Sequence, residues 1–266
     1  MSRPETIDRA GASALFPDLS VVIPARNEAE NIGRLIDEIA STPDLGVLEI
    51  IVVEDGATDG TGDVVRARMA TVPGLRLVTH DVGAGQSAAI RTGVEAARAA
   101  IVATIDGDGQ NPPSDLVHIV RSLAETGAGL VAGQRAARND TVSRRLASRV
   151  ANMLRAACLG DGIRDSGCGL KAFRRDDYLR LPYFDHMHRF MPALFQRDGL
   201  TVTCVEVGHR PRAGGRSHYS NTGRALSGVV DLLGVMWLIH RGGLHDRSRS
   251  SVASAERSAT GMDTMR

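Results

Sequence analysis

The most informative stretch of this chain is residues 101–113, in which acidic residues follow an apolar run. Its first five residues are apolar or β-branched, a pattern typical of a buried strand. Asp106 and Asp108 come next, and Gln110 adds a third oxygen donor. Open α/β sheets bind ligands where their strands end, and Mg²⁺-type cations prefer carboxylates together with substrate phosphates. The spacing predicts a site for a metal–diphosphate complex, although the same residues could form only a turn.

Apolar runs and amphipathic segments alternate through the first half of the chain. Strand-like runs lie at residues 19–23, 48–53, 75–79, 101–105 and 129–133, and helix-like segments lie at 28–40, 86–99 and 116–125. A further helix is expected after the second strand, with Asp59 or Thr61 at its start. This alternation predicts an α/β fold in which helices cover both faces of a mostly parallel sheet.

From residue 134 onward the pattern changes and arginine becomes frequent. It predicts a basic helix over 141–159, a loop over 160–169, an Arg-rich turn over Lys171–Arg175, a helix over 186–197, a strand over 201–207 and a basic loop over 210–219. Residues 1–134 carry 10 Lys or Arg and 19 Asp or Glu, whereas residues 135–224 carry 17 and 8. An acidic half joined to an Arg-rich half indicates that the second half meets phosphate.

Length and composition narrow the class of protein. A chain of 266 residues with 42% hydrophobic content can bury the core of one large domain. Cys158, Cys168 and Cys204 lack metal-site spacing, which favours reduced thiols in a cytoplasmic protein. Residues 1–18 lack the apolar core of a secretory signal. An aromatic content of 3% disfavours nucleic acid as a partner.

Two other predicted strand ends carry polar groups that could meet a ligand. Residues 21–28 read Val-Val-Ile-Pro-Ala-Arg-Asn-Glu, and residues 52–61 read Val-Val-Glu-Asp-Gly-Ala-Thr-Asp-Gly-Thr. Glu54 and Asp55 can accept hydrogen bonds from ribose hydroxyls or a base N–H group. The first stretch could instead be only a helix cap. Neither is a phosphate-binding loop of the Gly-Lys-Ser/Thr kind.

Taken in order, these motifs resemble those of the inverting family 2 glycosyltransferases, which have a GT-A (Rossmann-like) fold. Within that family the chain is most similar to polyprenyl-phosphate sugar synthases of the dolichol-phosphate mannosyltransferase type, from about Leu19 to Leu238. The motifs farther along the chain that support this resemblance are Gly133-Gln-Arg135, residues 143–152, Asp165 with Lys171-Ala-Phe-Arg174, His188-Arg-Phe190 and residues 212–219. The blocks around Arg135, 148–152 and 212–217 indicate a lipid phosphate as acceptor.

The resemblance implies a role for each matching residue. The residues expected to contact the nucleotide-sugar are Pro24, Ala25, Arg26, Glu28, Glu54, Asp55, Asp106, Gly107, Asp108 and Arg212. Asp106, Asp108 and Gln110 would hold Mg²⁺ or Mn²⁺, and the acceptor phosphate would meet Arg135, Arg144, Ser148, Arg149 and Ser217. The residues expected to carry catalysis are Asp108, Arg135, Arg149 and Arg212.

The implied reaction moves a sugar from a UDP- or GDP-linked donor to a polyprenyl (undecaprenyl- or dolichyl-type) phosphate, for cell-envelope glycan assembly. A phosphate monoester has a second pKa of about 6 and is largely a dianion at neutral pH, so no strong general base is needed. Glu54 stands where Asp is common and Arg26 where an aromatic residue is frequent. The identity of the sugar and of the nucleotide therefore stays open.

Residues 226–240 form an apolar segment of 15 residues, shorter than the about 20 needed to span a bilayer. Trp237 suits an interfacial helix, and an ordinary buried helix is the alternative. The expected organisation is a flexible N-terminus (1–18), a GT-A domain (19–221, with a nucleotide and metal half at 19–133 and an acceptor half at 134–221), an amphipathic membrane-interface helix (222–240) and a disordered tail (241–266). The protein is expected to be peripheral on the cytoplasmic face of the membrane, with a membrane-protein partner or a homo-oligomer supporting attachment.

Three other functions fit parts of the pattern. A family 2 transferase with a saccharide or other non-lipid acceptor would need no apolar segment at 226–240. A sugar-nucleotide-binding regulatory protein without turnover would have little use for the set Asp106, Asp108 and Gln110. A nucleotidyltransferase is disfavoured because the glycine- and lysine-rich opening loop typical of such enzymes is missing.

Overall fold

Seven strands form a single sheet in the computed structural model, which describes residues 19–135, 155–163, 165–211 and 228–241. The strands are β1 (Leu19–Ala25), β2 (Val47–Asp55), β3 (Leu75–His80), β4 (Ile101–Thr104), β5 (Leu130–Arg135), β6 (Lys171–Arg174) and β7 (Val202–Val207). The helices are α1 (Ala29–Ala40), α2 (Thr61–Met69), α3 (Gln86–Ala96), α4 (Ser114–Thr126), α5 (155–159), α6 (Arg175–Arg180), α7 (Met191–Arg197) and α8 (228–241).

The strand order is β3-β2-β1-β4-β6-β5-β7, and every neighbouring pair is parallel except the two pairs that include β6. The predicted α/β fold with a mostly parallel sheet is confirmed. Each of the six strands predicted from the sequence ends within two residues of the end of the corresponding observed strand. The sheet continues across residue 134, so the strands of the two predicted halves share it.

The core forms two layers, one on each face of the sheet. Val21 packs in the layer that includes α1 and α4, and Val22 packs in the layer that includes α3 and α7. Both side chains are fully buried. Because successive side chains of a strand point to opposite faces, a strand covered on both faces needs a continuous apolar run. This explains why the central strands lack apolar–polar alternation.

The Arg-rich turn predicted over Lys171–Arg175 is wrong, because Lys171–Arg174 is strand β6. It lies between β4 and β5, antiparallel to both, and Phe173 is fully buried. A strand of four residues with a charged residue at each end gives little periodic signal. Because β6 runs the opposite way, its first residue lies at the sheet edge where β4 and β5 end.

The predicted helix over 186–197 is also corrected. Residues 187–189 form a 3₁₀ turn, and the α-helix begins only at Met191 with Pro192 in its first turn. Proline is tolerated there because the first N–H groups of a helix have no partner within the helix. The predicted helix therefore splits into two short elements.

Helix α8 packs one side against the protein and exposes the other. Val235 is buried, whereas five large apolar side chains are exposed: Val229, Val230, Leu233, Met236 and Trp237. The Asp231 carboxylate accepts a hydrogen bond from His186 Nδ1 at 2.9 Å, so Asp231 belongs to the packed side. Among the described residues, no helix is both long enough and apolar enough to cross a bilayer.

Candidate active site

Most of the predicted site residues that the structure describes meet at one edge of the sheet. This edge holds the ends of β1, β2, β4, β5 and β7, together with the beginning of the antiparallel β6. It thereby gathers Arg26, Asp55, Asp106 and Arg135 from four strands that are far apart in the sequence. This is the edge at which open α/β sheets bind their ligands.

The Asp106 carboxyl group is packed between two other segments. Gln86, the first residue of α3, donates its side-chain N–H to Asp106 Oδ1 at 2.8 Å. A Cβ added at Gly169 would lie 2.2–2.3 Å from the Asp106 carboxyl atoms, so a larger residue there would displace that carboxyl group. Burial, and then repulsion by Asp108, raise the pKa of Asp106 to about 6, although Lys171 and Arg135 oppose the shift. The pocket therefore disfavours the Asp106 charge and would favour it if a cation were bound.

Asp108 and Gln110 lie in the loop that leaves Asp106. Asp108 Oδ1 accepts a hydrogen bond from the Gln110 backbone N–H at 3.1 Å, and Gly109 between them has φ +70°. The Gln110 amide nitrogen lies 3.5 Å from His209 Nε2, which turns the amide oxygen away from His209. All three predicted metal-binding side chains are thus in one loop.

The donor set fits Mg²⁺ or Mn²⁺ bound to a diphosphate. Two carboxylates with an amide oxygen are the hard ligands that such cations prefer, and Mg²⁺ usually takes one or two carboxylates plus substrate phosphates. Among the described residues, no cluster of three or more His, Cys, Asp or Glu side chains could hold a metal ion. A Mg²⁺ or Mn²⁺ ion bound to the diphosphate would offset the charge that develops on it as it leaves.

Residues predicted to contact the nucleotide lie next to this loop. A Cβ added at Gly107 would lie 3.1 Å from the Pro24 carbonyl oxygen and 3.4 Å from the Ala25 Cβ atom. The metal loop therefore packs directly on the end of β1. The exposed Arg26 guanidinium lies against Gly83, within 2.6–3.1 Å of a Cβ added there.

Asp55 is buried and bound to the loop before α3. Its carboxylate accepts hydrogen bonds from His80 Nδ1 (2.9 Å), the Ala84 N–H (2.7 Å) and the Gly85 N–H (2.8 Å). Burial alone would raise the pKa of Asp55, but these hydrogen bonds outweigh it and lower the pKa. The predicted contact of Asp55 with the nucleotide stays a prediction.

Two other predicted nucleotide contacts also have partners within the protein. Glu54 Oε1 accepts a hydrogen bond from the Gly62 N–H at the start of α2, at 2.8 Å. Glu28 Oε2 accepts one from Asn31 Nδ2 at 2.8 Å. The alternative for residues 21–28 was a helix cap, for which Asn27 is the capping side chain. This cap is not observed, because Asn27 Oδ1 accepts the Thr58 N–H instead.

Arg135, at the end of β5, forms a bidentate ion pair with Asp165. Its Nε donates to Asp165 Oδ2 at 2.6 Å and its Nη2 to Oδ1 at 2.8 Å, with both side chains about nine-tenths buried. The segment 165–170 that carries Asp165 also carries Gly169, which contacts Asp106. One segment therefore touches both the predicted acceptor arginine and the predicted metal carboxylate.

Lys171 directly follows this segment in the chain, and it is almost completely buried. Its Nζ donates a hydrogen bond to the Cys168 carbonyl oxygen. Burial lowers the pKa of Lys171, although the nearby Cys168 and Asp106 side chains act against that shift. A buried cation beside Asp106 reduces the cost of its negative charge.

With this geometry in view, the comparisons with known proteins decide the family. The protein-family model described as Glycosyl transferase family 2 matches residues 20–181, more than half of the chain. The chain belongs to glycosyl transferase family 2. Two relatives share about a third of their aligned residues with it. Dodecaprenyl-phosphate galacturonate synthase of Rhizobium johnstonii is 34% identical over 232 residues (84% of this chain, 67% of that protein).

The second relative is undecaprenyl-phosphate 4-deoxy-4-formamido-L-arabinose transferase of Yersinia pestis, 32% identical over 219 residues (81% of this chain, 66% of that protein). This chain therefore spans about two thirds of the length of each relative. Among solved structures, Mycobacterium tuberculosis glucosyl-3-phosphoglycerate synthase with Mn²⁺, UDP-glucose and phosphoglyceric acid has a TM-score of 0.66 at 25% identity (91% of this chain, 86% of that one). The same enzyme with Mg²⁺ and UDP has a TM-score of 0.64 at 25% identity (90% and 85%). These likenesses confirm the predicted GT-A-like fold of this family 2 chain.

Five predicted site residues of this family 2 chain lie outside the described residues: Arg144, Ser148, Arg149, Arg212 and Ser217. Their assignments to the acceptor phosphate and the donor diphosphate stay predictions. The described segments 155–163 and 228–241 lie beside these two gaps in the sequence.

Sequence reasoning missed several residues that shape the family 2 site. Gln86 and Gly169 contact Asp106, and Asp165 pairs with Arg135. Lys171 bonds to the Cys168 carbonyl oxygen, and Arg210 donates to the Gly109 carbonyl oxygen. Asp165 and Lys171 were part of the resemblance, but no pattern in the sequence gave them a partner. A close approach to Gly169 leaves no trace in composition or periodicity.

Proposed function

We propose that this chain is a metal-dependent, inverting glycosyltransferase that moves a sugar from a nucleotide-sugar to a polyprenyl phosphate. The supporting observation is that Asp106 and Arg135 are joined by one segment, in which Gly169 contacts the first and Asp165 pairs with the second. A donor diphosphate at Asp106 and an acceptor phosphate at Arg135 would be neighbours. The two relatives described above, both named for polyprenyl-phosphate sugars, support the same acceptor.

The chemistry follows from the charge of the acceptor. An oxygen of the acceptor phosphate dianion attacks the anomeric carbon, the new phosphate–sugar bond forms, and the bond from that carbon to the nucleoside diphosphate breaks. Single displacement inverts the anomeric centre. The protein has to place the nucleophile and stabilise the leaving charge. Arg135 is oriented by Asp165, and its third nitrogen, Nη1, takes no part in this ion pair and would meet the acceptor phosphate.

A peripheral position on the cytoplasmic membrane face is part of this proposal. The exposed side of α8 carries Val229, Val230, Leu233, Met236 and Trp237. An apolar patch of this kind on a folded domain marks a membrane or protein interface, and a lipid-bound acceptor stays at the bilayer surface. The α8 helix would lie in the headgroup region with its apolar side buried. A membrane-protein partner or a second copy of the chain would strengthen this attachment.

A soluble acceptor is the second candidate. The solved structure with a TM-score of 0.66 has phosphoglyceric acid in its title, and a small phosphate-bearing acceptor would meet Arg135 in the same way. Such an enzyme would have no use for an apolar side on α8. The two candidates therefore differ in whether lipid accelerates the reaction.

The test is release of nucleoside diphosphate from a panel of UDP- and GDP-sugars with Mn²⁺, with and without undecaprenyl phosphate in detergent. We expect release to require the lipid and a radiolabelled sugar to move into the organic phase. Asp108→Ala is expected to lower kcat at least about 100-fold, the range seen when one stabilising group is removed from an active site. Asp63→Ala on the exposed surface of α2 is the matched control and should behave as wild type. Equal release without lipid, or full activity of Asp108→Ala, would contradict the proposal.

A further inference from the structure

The segment directly after β7 is tied to the loop that carries the predicted metal ligands. The Arg210 backbone N–H donates to the Gln110 carbonyl oxygen at 2.9 Å, and Arg210 Nε donates to the Gly109 carbonyl oxygen at 2.6 Å. The Gly208 N–H donates to Asp115 Oδ2, beyond the same loop, at 2.7 Å. Two hydrogen bonds therefore hold the loop itself from one side, and a third holds the first turn of α4, which follows the loop.

The Arg210 guanidinium also makes a hydrogen bond to helix α1. Its Nη2 donates to Glu38 Oε2 on α1, and Glu38 also accepts a hydrogen bond from Arg34 Nε at 2.7 Å. Burial alone would raise the pKa of Glu38, but the hydrogen bonds from Arg210 and Arg34 outweigh it and lower the pKa. Arg210 thus connects the loop to a carboxylate on a helix that packs against the sheet.

The peptide that Arg210 holds lies between two of the predicted ligands. Gly109 has φ +70°, in the left-handed region, and this single residue sets the direction of Asp108 relative to Gln110. Left-handed backbone is costly for most residues and available to glycine, which is also the most flexible residue. Contacts from outside the loop therefore help to keep it in one conformation.

We propose that Arg210 is a positioning residue that clamps residues 108–110 in the shape that binds the cation. It acts through the Gly109 and Gln110 carbonyl groups on one side and through the Glu38 carboxylate on the other. This inference rests on the proposed metal site. Groups that orient metal ligands from outside typically change metal affinity by about 10–100-fold when they are mutated.

The test measures Mn²⁺ affinity directly, by electron paramagnetic resonance of free Mn²⁺ during titration of the protein with UDP present. Arg210→Gln is expected to weaken Mn²⁺ binding by about tenfold. Arg210→Lys should recover part of the loss, because it keeps the charge. Glu38→Gln should weaken binding by a smaller factor, because it removes only the anchor.

Two controls separate positioning from general stability. Arg34→Gln removes the other partner of Glu38 and should leave Mn²⁺ affinity unchanged. Arg76→Gln removes a partly buried arginine that makes hydrogen bonds to Glu49 and to the Ala96 carbonyl oxygen. It should lower the melting temperature without changing Mn²⁺ affinity.

The outcomes distinguish this inference from the function on which it rests. If the wild type binds Mn²⁺ no better than Asp108→Ala, the proposed metal site itself is wrong. If Asp108→Ala loses binding while Arg210→Gln and Glu38→Gln bind as wild type, the metal site stands and the clamp is overturned. Should Arg210→Gln fail to fold, Arg210→Lys and Glu38→Gln decide: weakened binding in both supports the clamp, and unchanged binding overturns it.

Discussion

Gly169 has no room for a side chain unless the Asp106 carboxyl group moves. Its Cα atom faces the Asp106 carboxyl group so closely that an added Cβ would lie 2.2–2.3 Å away. Gly167, two residues earlier, has room: a Cβ there would lie 3.6 Å from Arg135 Nη2 and 3.7 Å from Asp165 Oδ1. The two glycines form a matched pair within one segment.

Gly169→Ala is expected to push Asp106 out of position, with a loss of about 1–3 kcal/mol in the free energy of unfolding, as for other overpacked sites. Mn²⁺ affinity in the presence of UDP should fall by about tenfold, because Asp106 no longer converges with Asp108. Gly167→Ala should match wild type in both measurements. Denaturant unfolding and Mn²⁺ titration check this, and equal behaviour of the two variants would refute the close approach.

The sequence predicted the residues that lie at strand ends and missed the residues that hold them. Asp106 and Asp108 were readable because an apolar run followed by carboxylates implies a position at the sheet edge. Gln86, Asp165 and Arg210 were not, because their partners are 20, 30 and 101 residues away in the chain. Such pairs depend on how the strands are ordered, which periodicity does not encode.

At the scale of elements, a buried carboxylate joins the starts of two strands and the end of a helix. Glu49 on β2 is 2% exposed. It accepts hydrogen bonds from Ser20 Oγ (2.8 Å), the Arg98 N–H (2.6 Å) and Arg76 Nη1 (2.7 Å). This cluster lies at the edge of the sheet opposite the candidate site and fixes how α3 connects to β4.

Glu49→Gln is expected to lower the free energy of unfolding by about 2 kcal/mol at pH 7, the range for hydrogen bonds to charged groups. Burial alone would raise the pKa of Glu49, but hydrogen bonds from Arg98, Arg76 and Ser20 lower it below its ordinary value of 4.5. A lowered pKa in the folded state means that the charge stabilises the fold above pH 4.5, and that this stability is lost as the pH falls through the lowered pKa.

Urea unfolding at pH 7 and at several values below 4.5 measures this effect. The difference between wild type and Glu49→Gln should shrink steadily as the pH falls below 4.5. Glu125→Gln, which changes an exposed glutamate on α4, should show no such difference. A pH-independent gap between wild type and Glu49→Gln would contradict the assigned cause.

Strand β6 could not be predicted from the sequence pattern of its own residues. The parallel strands were predicted because burial on both faces requires continuous apolar runs. β6 has only Ala172 and Phe173 between Lys171 and Arg174. Its strand character depends on pairing with β4 and β5 on either side, which places even Lys171 in the interior. Pairing of this kind is tertiary information.

At the scale of the whole molecule, one side of the protein carries the exposed apolar side of α8. Leu233, in the middle of that side, is 60% exposed. The opposite layer of the core carries α2, where Met69 is 44% exposed. If the protein lies on a membrane as proposed, this difference between its two sides favours the orientation with α8 toward the lipid.

Leu233→Asp is expected to reduce binding to vesicles that contain anionic lipid by about 10–100-fold, since burying one leucine side chain is worth about 1.5–3 kcal/mol. Met69→Asp makes the same kind of change on the opposite side and should bind as wild type. Flotation of the purified proteins with vesicles measures this. Equal loss in both variants, or no loss in either, would show that α8 does not contact the bilayer.

Trp237 is the only tryptophan in the chain. It is 61% exposed on α8, with the Arg241 guanidinium 5.9 Å from its ring centroid. Its fluorescence therefore reports the surroundings of α8 and hardly senses the interior of the sheet. A folded and an unfolded protein will differ little in emission wavelength in buffer, so unfolding is better followed by circular dichroism. In return, a blue shift on adding vesicles or a partner protein is a label-free signal from the surface where association is expected.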